Sequence, residues 1–120
     1  MSFSKVFRVS TADDVMVIEL LGVVSSLADD SITRELDAVR QRLRTSGCRG
    51  IVIDFGQVAY FGSSMLEAIR ALWNELTPNE GRLILCNASE VGREILQVAK
   101  FDHIWPLVET REQALQLLKS

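Results

Sequence analysis

The 120-residue sequence predicts an α/β fold on a mixed, mostly parallel sheet. Three observations carry that expectation. Short β-branched and apolar runs alternate with stretches of helical spacing, the pattern of parallel strands joined by right-handed crossovers. Gly50–Phe55 is apolar almost throughout, as befits a central strand covered on both faces. The two opening runs are joined by the Ala12–Asp13–Asp14 turn and read as a hairpin, which adds an antiparallel strand.

Taken in order, Lys5–Thr11 and Val15–Leu21 are the hairpin strands, and Gly22 ends the second. Val23–Ala28 is expected to be a loop. Asp29, Asp30 and Ser31 are candidate caps for a first helix running to about Thr45 and stopped at Ser46–Gly47. Ile32, Leu36, Val39 and Leu43 recur at helical spacing along it, and Arg34, Arg40, Arg42 and Arg44 read as its solvated face. A second helix follows from Ser63 or Ser64 to about Leu76. Met65, Leu66, Ile69, Leu72, Trp73 and Leu76 give it the clearest apolar stripe in the chain. Pro78–Asn79–Glu80–Gly81 is turn chemistry, and Arg82–Cys86 is the next strand. Ser89 can cap a third helix ending near Lys100. Ile104–Val108, interrupted by Pro106, belongs at a sheet edge. Thr110 and Gln113 form a capping box for a last helix carrying Ala114, Leu115 and Leu118. The expected order is β-β-α-β-α-β-α-β-α, about five strands and four helices in a single domain over residues 1–120.

Composition narrows the function. Hydrophobic residues make up 48% and charged residues 24%, which suits a folded domain rather than a disordered one. The net charge of −3 and the lack of a basic stripe argue against nucleic acid. Apolar runs are too short for membrane insertion. Met1–Lys5 has no leader-like apolar core, so a cytoplasmic location is expected. Cys48 and Cys86 read as small buried hydrophobes, and His103 has no partners for a triad or metal cluster. No cofactor is expected, nor an enzyme: no Gly-rich phosphate loop occurs, and Asp54 with Ser63 lacks a neighbouring base.

A parallel sheet gathers functional residues at the carboxyl ends of its strands. Here that edge holds Asp54, Gly56, Gln57 and Gly62–Ser63–Ser64, with the Val23–Ala28 loop expected beside them. Asp54 reads as a strand-end residue bonding loop N–H groups. Ser63 has two readings. As an N-cap it would be worth about 1 kcal/mol, with Gly62 relaxing a sharp turn into the helix. As a switch it would carry a phosphate where unpaired N–H groups and the helix dipole favour negative charge. Tyr60 and Phe61 read either as one core ring and one partly exposed ring or as an aromatic rim of an interface. Trp105 is expected in the core or partly in it.

The segment from Asp54 to Ser64 resembles the signature of STAS-domain anti-sigma factor antagonists. The likeness continues through Gly81–Asn87, Val91–Lys100, Phe101–Asp102, Ile104 and Thr110–Leu118. It implies a STAS-like sheet and aligns Ser63 with the family's phosphoacceptor and Ser64 with its hydroxyl neighbour. Two positions depart from the pattern: Gly62 stands where aspartate is usual, and Met65 where glycine is usual. Val23–Val24–Ser25 also lacks the acidic residues common in related antagonists.

The resemblance implies a partner switch. The unphosphorylated protein binds an anti-sigma factor serine kinase and frees the sigma factor; phosphorylation of Ser63 releases the kinase, and a phosphoserine phosphatase resets the site. Tyr60, Phe61, Gly62, Ser64, Met65, Glu67 and Arg70 are the expected partner-binding residues. The competing expectation is a non-switching STAS scaffold subunit of a signalling or lipid-transport complex. A small-ligand or nucleotide module would need polar pocket residues that the sequence does not reveal.

Overall fold

Two opening strands, β1 (Phe7–Ala12) and β2 (Val15–Leu20), pair antiparallel with Phe7 opposite Leu20 and Ala12 opposite Val15. Asp13 takes φ 56° at the tip, a left-handed conformation that a short polar side chain tolerates. β3 (Gly50–Asp54), β4 (Arg82–Cys86) and β5 (Leu107–Val108) then add in parallel, giving the order β1-β2-β3-β4-β5. The connections carry α1 (Ser31–Ser46), α2 (Ser63–Leu76) and α3 (Glu90–Val98), and α4 (Arg111–Lys119) follows β5. This computed structural model describes residues 6–21 and 31–119. Lys5, Gly22, the expected Val23–Ala28 loop and the candidate caps Asp29 and Asp30 lie outside the described residues.

Strand alternation divides the interior in two. Met16, Ile18, Leu20, Ile51, Ile53, Leu83 and Leu85 face a large core shared with Val39 and Leu43 of α1, Met65, Ile69 and Leu72 of α2, and Leu96 of α3. Val17, Val52, Ile84 and Cys86 face the other way, against Ala114 of α4. β3 is buried at every position, its apolar run covered on both faces and its closing Asp54 included. Each large aliphatic side chain removed from water here contributes about 1.5–3 kcal/mol.

Local structure departs from expectation at several ends. β1 starts at Phe7 and runs to Ala12, and β2 stops at Leu20, although Leu21 N–H still donates to the Val6 carbonyl at 2.9 Å. β3 stops at Asp54 rather than Phe55, and α3 at Val98 rather than Lys100. The last strand is only Leu107–Val108, because Phe101–His103 forms a 3₁₀ turn and Trp105 is drawn into the core. Trp105 there makes edge contacts with Phe101 and Trp73 at 4.8 and 5.8 Å between centroids.

On the basic face of α1, Arg34, Arg42 and Arg44 are exposed as expected, while Arg40 is half-buried. Arg40 Nε donates to Glu75 of α2 at 2.8 Å, and Arg44 donates to both Glu75 oxygens at 2.9 Å. Hydrogen bonds from Arg44 and then Arg40 hold the Glu75 carboxyl below its usual range. The shared carboxylate pins α1 to α2 beside their apolar seam.

Candidate functional site

One row of register crosses all five strands near the carboxyl ends of the parallel ones: Arg8, Glu19, Asp54, Cys86 and Val108. Its centre is Asp54, the buried charged residue of the described chain, with only 6% of its side chain exposed. A buried carboxylate must be paired and hydrogen-bonded, and Asp54 is. Oδ1 accepts from the Gly56 N–H at 2.8 Å and from Asn87 Nδ2 at 3.1 Å. Oδ2 accepts from Arg111 Nε at 2.9 Å and Nη2 at 2.8 Å. Arg111 also reaches Glu19 at 3.1 Å, and Glu19 lies 3.6 Å from Arg8. The Asp54 hydrogen bonds raise the Arg111 pKa above its ordinary value, so the guanidinium stays charged. Next in the row, burial and then the Asp54 charge push the Cys86 thiol up to about 12, which leaves it protonated and inert.

From Asp54 the chain turns through Gly56 and Gln57 towards α2. The Val58 N–H donates to the Phe55 carbonyl at 3.1 Å, and Val58 is buried. Ser89 Oγ donates to the Ala59 carbonyl at 2.9 Å while accepting from the Gly92 N–H at 3.0 Å. The expected cap of α3 therefore also ties down the neighbouring loop. Phe61 packs against Phe55 with 5.0 Å between centroids and the rings tilted by 37°, and a Cβ added at Gly92 would come within 3.3 Å of the Phe61 ring.

At the start of α2 the expected roles are redistributed. Gly62 is the N-cap and supplies no side-chain bond; its carbonyl accepts from Met65 and Leu66 N–H at 3.1 and 3.3 Å. Ser63 is thus the first helical residue, not the cap. Nor does Gly62 relax a strained turn, since φ −112° and ψ −167° are extended values open to any residue. Ser63 and Ser64 are exposed, and no acidic residue stands in the first turn of α2.

The expected partner-binding residues divide. Tyr60 is 66% exposed, and Glu67 and Arg70 face solvent. Gly62 is half-buried. Phe61 and Met65 are 1% and 0% exposed. Both are core side chains, so neither contributes its side chain to a surface: Phe61 is claimed by Phe55 and the close approach of Gly92, and Met65 by the inward stripe of α2. Arg70 lies over the Phe101 ring, 5.2 Å from its centroid, a cation–π contact that orients it.

Sequence reasoning identified Asp54 as a strand-end group but missed Arg111, Asn87 and Glu19. A signal for Arg111 existed. It is the first residue of α4, where the helix dipole disfavours a cation, so its presence called for a carboxylate nearby.

Comparison with known proteins agrees with this architecture. The STAS domain model matches residues 7–114. BtrV of Bordetella bronchiseptica, assigned by name to the anti-sigma factor antagonists, is 29% identical over 108 residues, 90% of each chain. The anti-sigma-factor antagonist (STAS) domain protein from Planctomyces limnophilus superimposes with a TM-score of 0.81 at 28% identity, over 95% of this chain and 98% of that one. The fold is also that of Bacillus SpoIIAA in its phosphorylated form, with a TM-score of 0.71 at 20% identity over 92% and 96% of the two chains. With the register, the helix order and the matched span in agreement, the chain belongs to the STAS domain family.

Proposed function

We propose that this chain is an anti-sigma factor antagonist that works as a phosphorylation-controlled partner switch in the cytoplasm. Ser63 is the phosphoacceptor. Unmodified, the surface around Ser63, Ser64 and Tyr60, extended by Glu67 and Arg70, binds an anti-sigma factor serine kinase and frees its sigma factor. Phosphorylation of Ser63 ends the association, and a phosphoserine phosphatase restores it.

The observation that carries this reading is the exposed serine pair at a helix start with no side-chain cap and no acid in its first turn. The resemblance that aligns Ser63 with a phosphoacceptor, and the names borne by the relatives, support it. A phosphate there adds about −1.5 to −2 charge at pH 7. Within the fold, the N-terminal N–H groups of α2 offset that charge. Across an interface the same charge must also be desolvated and is repelled by any acidic group of the partner. One modification therefore abolishes binding and leaves the domain folded.

A second reading is a constitutive scaffold subunit. Gly62 and Met65, at positions where the family pattern has aspartate and glycine, favour it. A pull-down from native cells, with and without ATP, separates the two. The switch gives ATP-dependent release of a kinase-like partner and phosphate on Ser63. In purified form, Ser63→Ala keeps the partner while Ser63→Asp weakens it about a hundredfold. An ATP-insensitive complex with unmodified Ser63, or equal binding by both variants, refutes the switch.

A further inference from the structure

The Asp54 carboxylate reaches the Ser63 loop from the opposite face of the sheet. Through Oδ1 it holds the amide of Gly56, which opens the connection from β3 to α2. The same oxygen holds Asn87, which opens the connection from β4 to α3 with a left-handed φ of 62°. Two residues further on, Ser89 grips the Ala59 carbonyl. One side chain thus holds the first residue of each of the two connections that meet at the segment leading to Ser63.

That side chain has an adverse neighbour. Glu19 is directly beside Asp54 in the β2–β3 register, and like charges so paired are destabilising. Arg111 joins both, with a two-pronged hold on Asp54 and one bond to Glu19. It does so from the first position of α4, a poor place for a cation on helix grounds alone.

We infer that Arg111 is a positioning residue for the Ser63 surface: its fork on Asp54 fixes the rotamer from which Asp54 ties Gly56 and Asn87, and so holds the loop that presents Tyr60, Gly62 and Ser63. Its two donors converge on Oδ2 and leave Oδ1 to Gly56 and Asn87; lysine cannot reproduce this hold, because an ammonium is a point charge without paired planar donors. The significance for partner binding rests on the reading of Ser63 proposed above; the loop-holding itself does not.

Amide hydrogen exchange by NMR on the full chain tests it. The readout is the exchange rate at Gly56 and Val58 relative to Ile18 in β2. Arg111→Ala raises that ratio about tenfold or more, and Arg111→Lys raises it less. Thr110→Ala, which weakens the start of α4 without touching the fork, leaves it unchanged. An unchanged ratio in Arg111→Ala overturns the inference, as does an equal rise in Thr110→Ala. Should Arg111→Ala fail to fold, the ratio in Arg111→Lys decides in the same way. With the partner recovered by the pull-down, Arg111→Ala weakens binding about fivefold to tenfold while Ser63→Ala binds normally. A raised exchange ratio together with full binding by Ser63→Asp would refute the switch and leave the clasp standing.

Discussion

The helices that follow β3, β4 and β5 start at the same edge of the sheet, but α2 starts unlike α3 and α4. α3 is capped by Ser89 and carries Glu90 in its first turn. α4 has a reciprocal box, in which Thr110 Oγ1 accepts from the Gln113 N–H at 3.1 Å and Gln113 Oε1 accepts from the Thr110 N–H at 3.2 Å; Glu112 adds an acid. α2 has a glycine cap and no acid, although two serines stand within reach. Its stability comes instead from its buried face of Met65, Ala68, Ile69, Leu72 and Leu76. The difference is instructive: where capping chemistry is present in sequence but unused in structure, the hydroxyls are released from structural duty.

The largest expected effect tests how firmly the loop ahead of that uncapped start is held. Phe61→Ala should cost about 3–5 kcal/mol of stability, measured by urea unfolding, because it removes a buried ring packed against Phe55. A cost near zero would mean that the segment before α2 is a free surface loop, and the contrast with a rigidly seated, exposed serine pair would collapse. Tyr60→Ala, one residue earlier and mostly exposed, should change stability little.

A smaller effect addresses the capped side of the comparison. Ser89→Ala loses both the α3 cap and the bond to the Ala59 carbonyl. The expected cost is about 1–2 kcal/mol, more than a cap alone. Loss of only a few tenths would show that the two loops are independent and that α3 does not steady the approach to Ser63.

These same residues show what the sequence could reveal. Strong periodicity and local capping chemistry were legible: the α2 stripe, the buried β3 run, the hairpin, Ser89 and the Thr110–Gln113 box all stand as expected. What escaped is long-range. Of Tyr60 and Phe61, the expectation of one core ring and one exposed ring stands; that Phe61 is the core ring is set by its contacts with Phe55 and Gly92, which the sequence does not announce. Arg111 and Asp54 are 57 residues apart and meet only because α4 folds back over the sheet. The role of Ser63 differed by a single position, cap or first helical residue, and that hangs on where the extended backbone of Gly62 gives way to helix. The helix start allows a phosphate on Ser63 without requiring one, and only the family resemblance favours the phosphoacceptor reading over the cap.

The smallest effect would erase the comparison rather than measure it. An added Cβ at Gly62 meets nothing within 4 Å, and the backbone there is extended, so aspartate fits without strain. Its carboxylate could accept from the N–H of Ser64 and would face the positive end of α2. Replacing glycine also narrows the unfolded ensemble. Gly62→Asp should therefore stabilise the domain by about 0.5–1 kcal/mol in urea unfolding, making α2 start as α3 and α4 do. A loss of stability would mean that the Ser64 N–H is not open to a capping carboxylate, and the serines would then have to be read as structural. If stability rises as expected, the absence of an acid at Gly62 is not imposed by the fold, and under the switch proposed for Ser63 its reason lies in the docking surface.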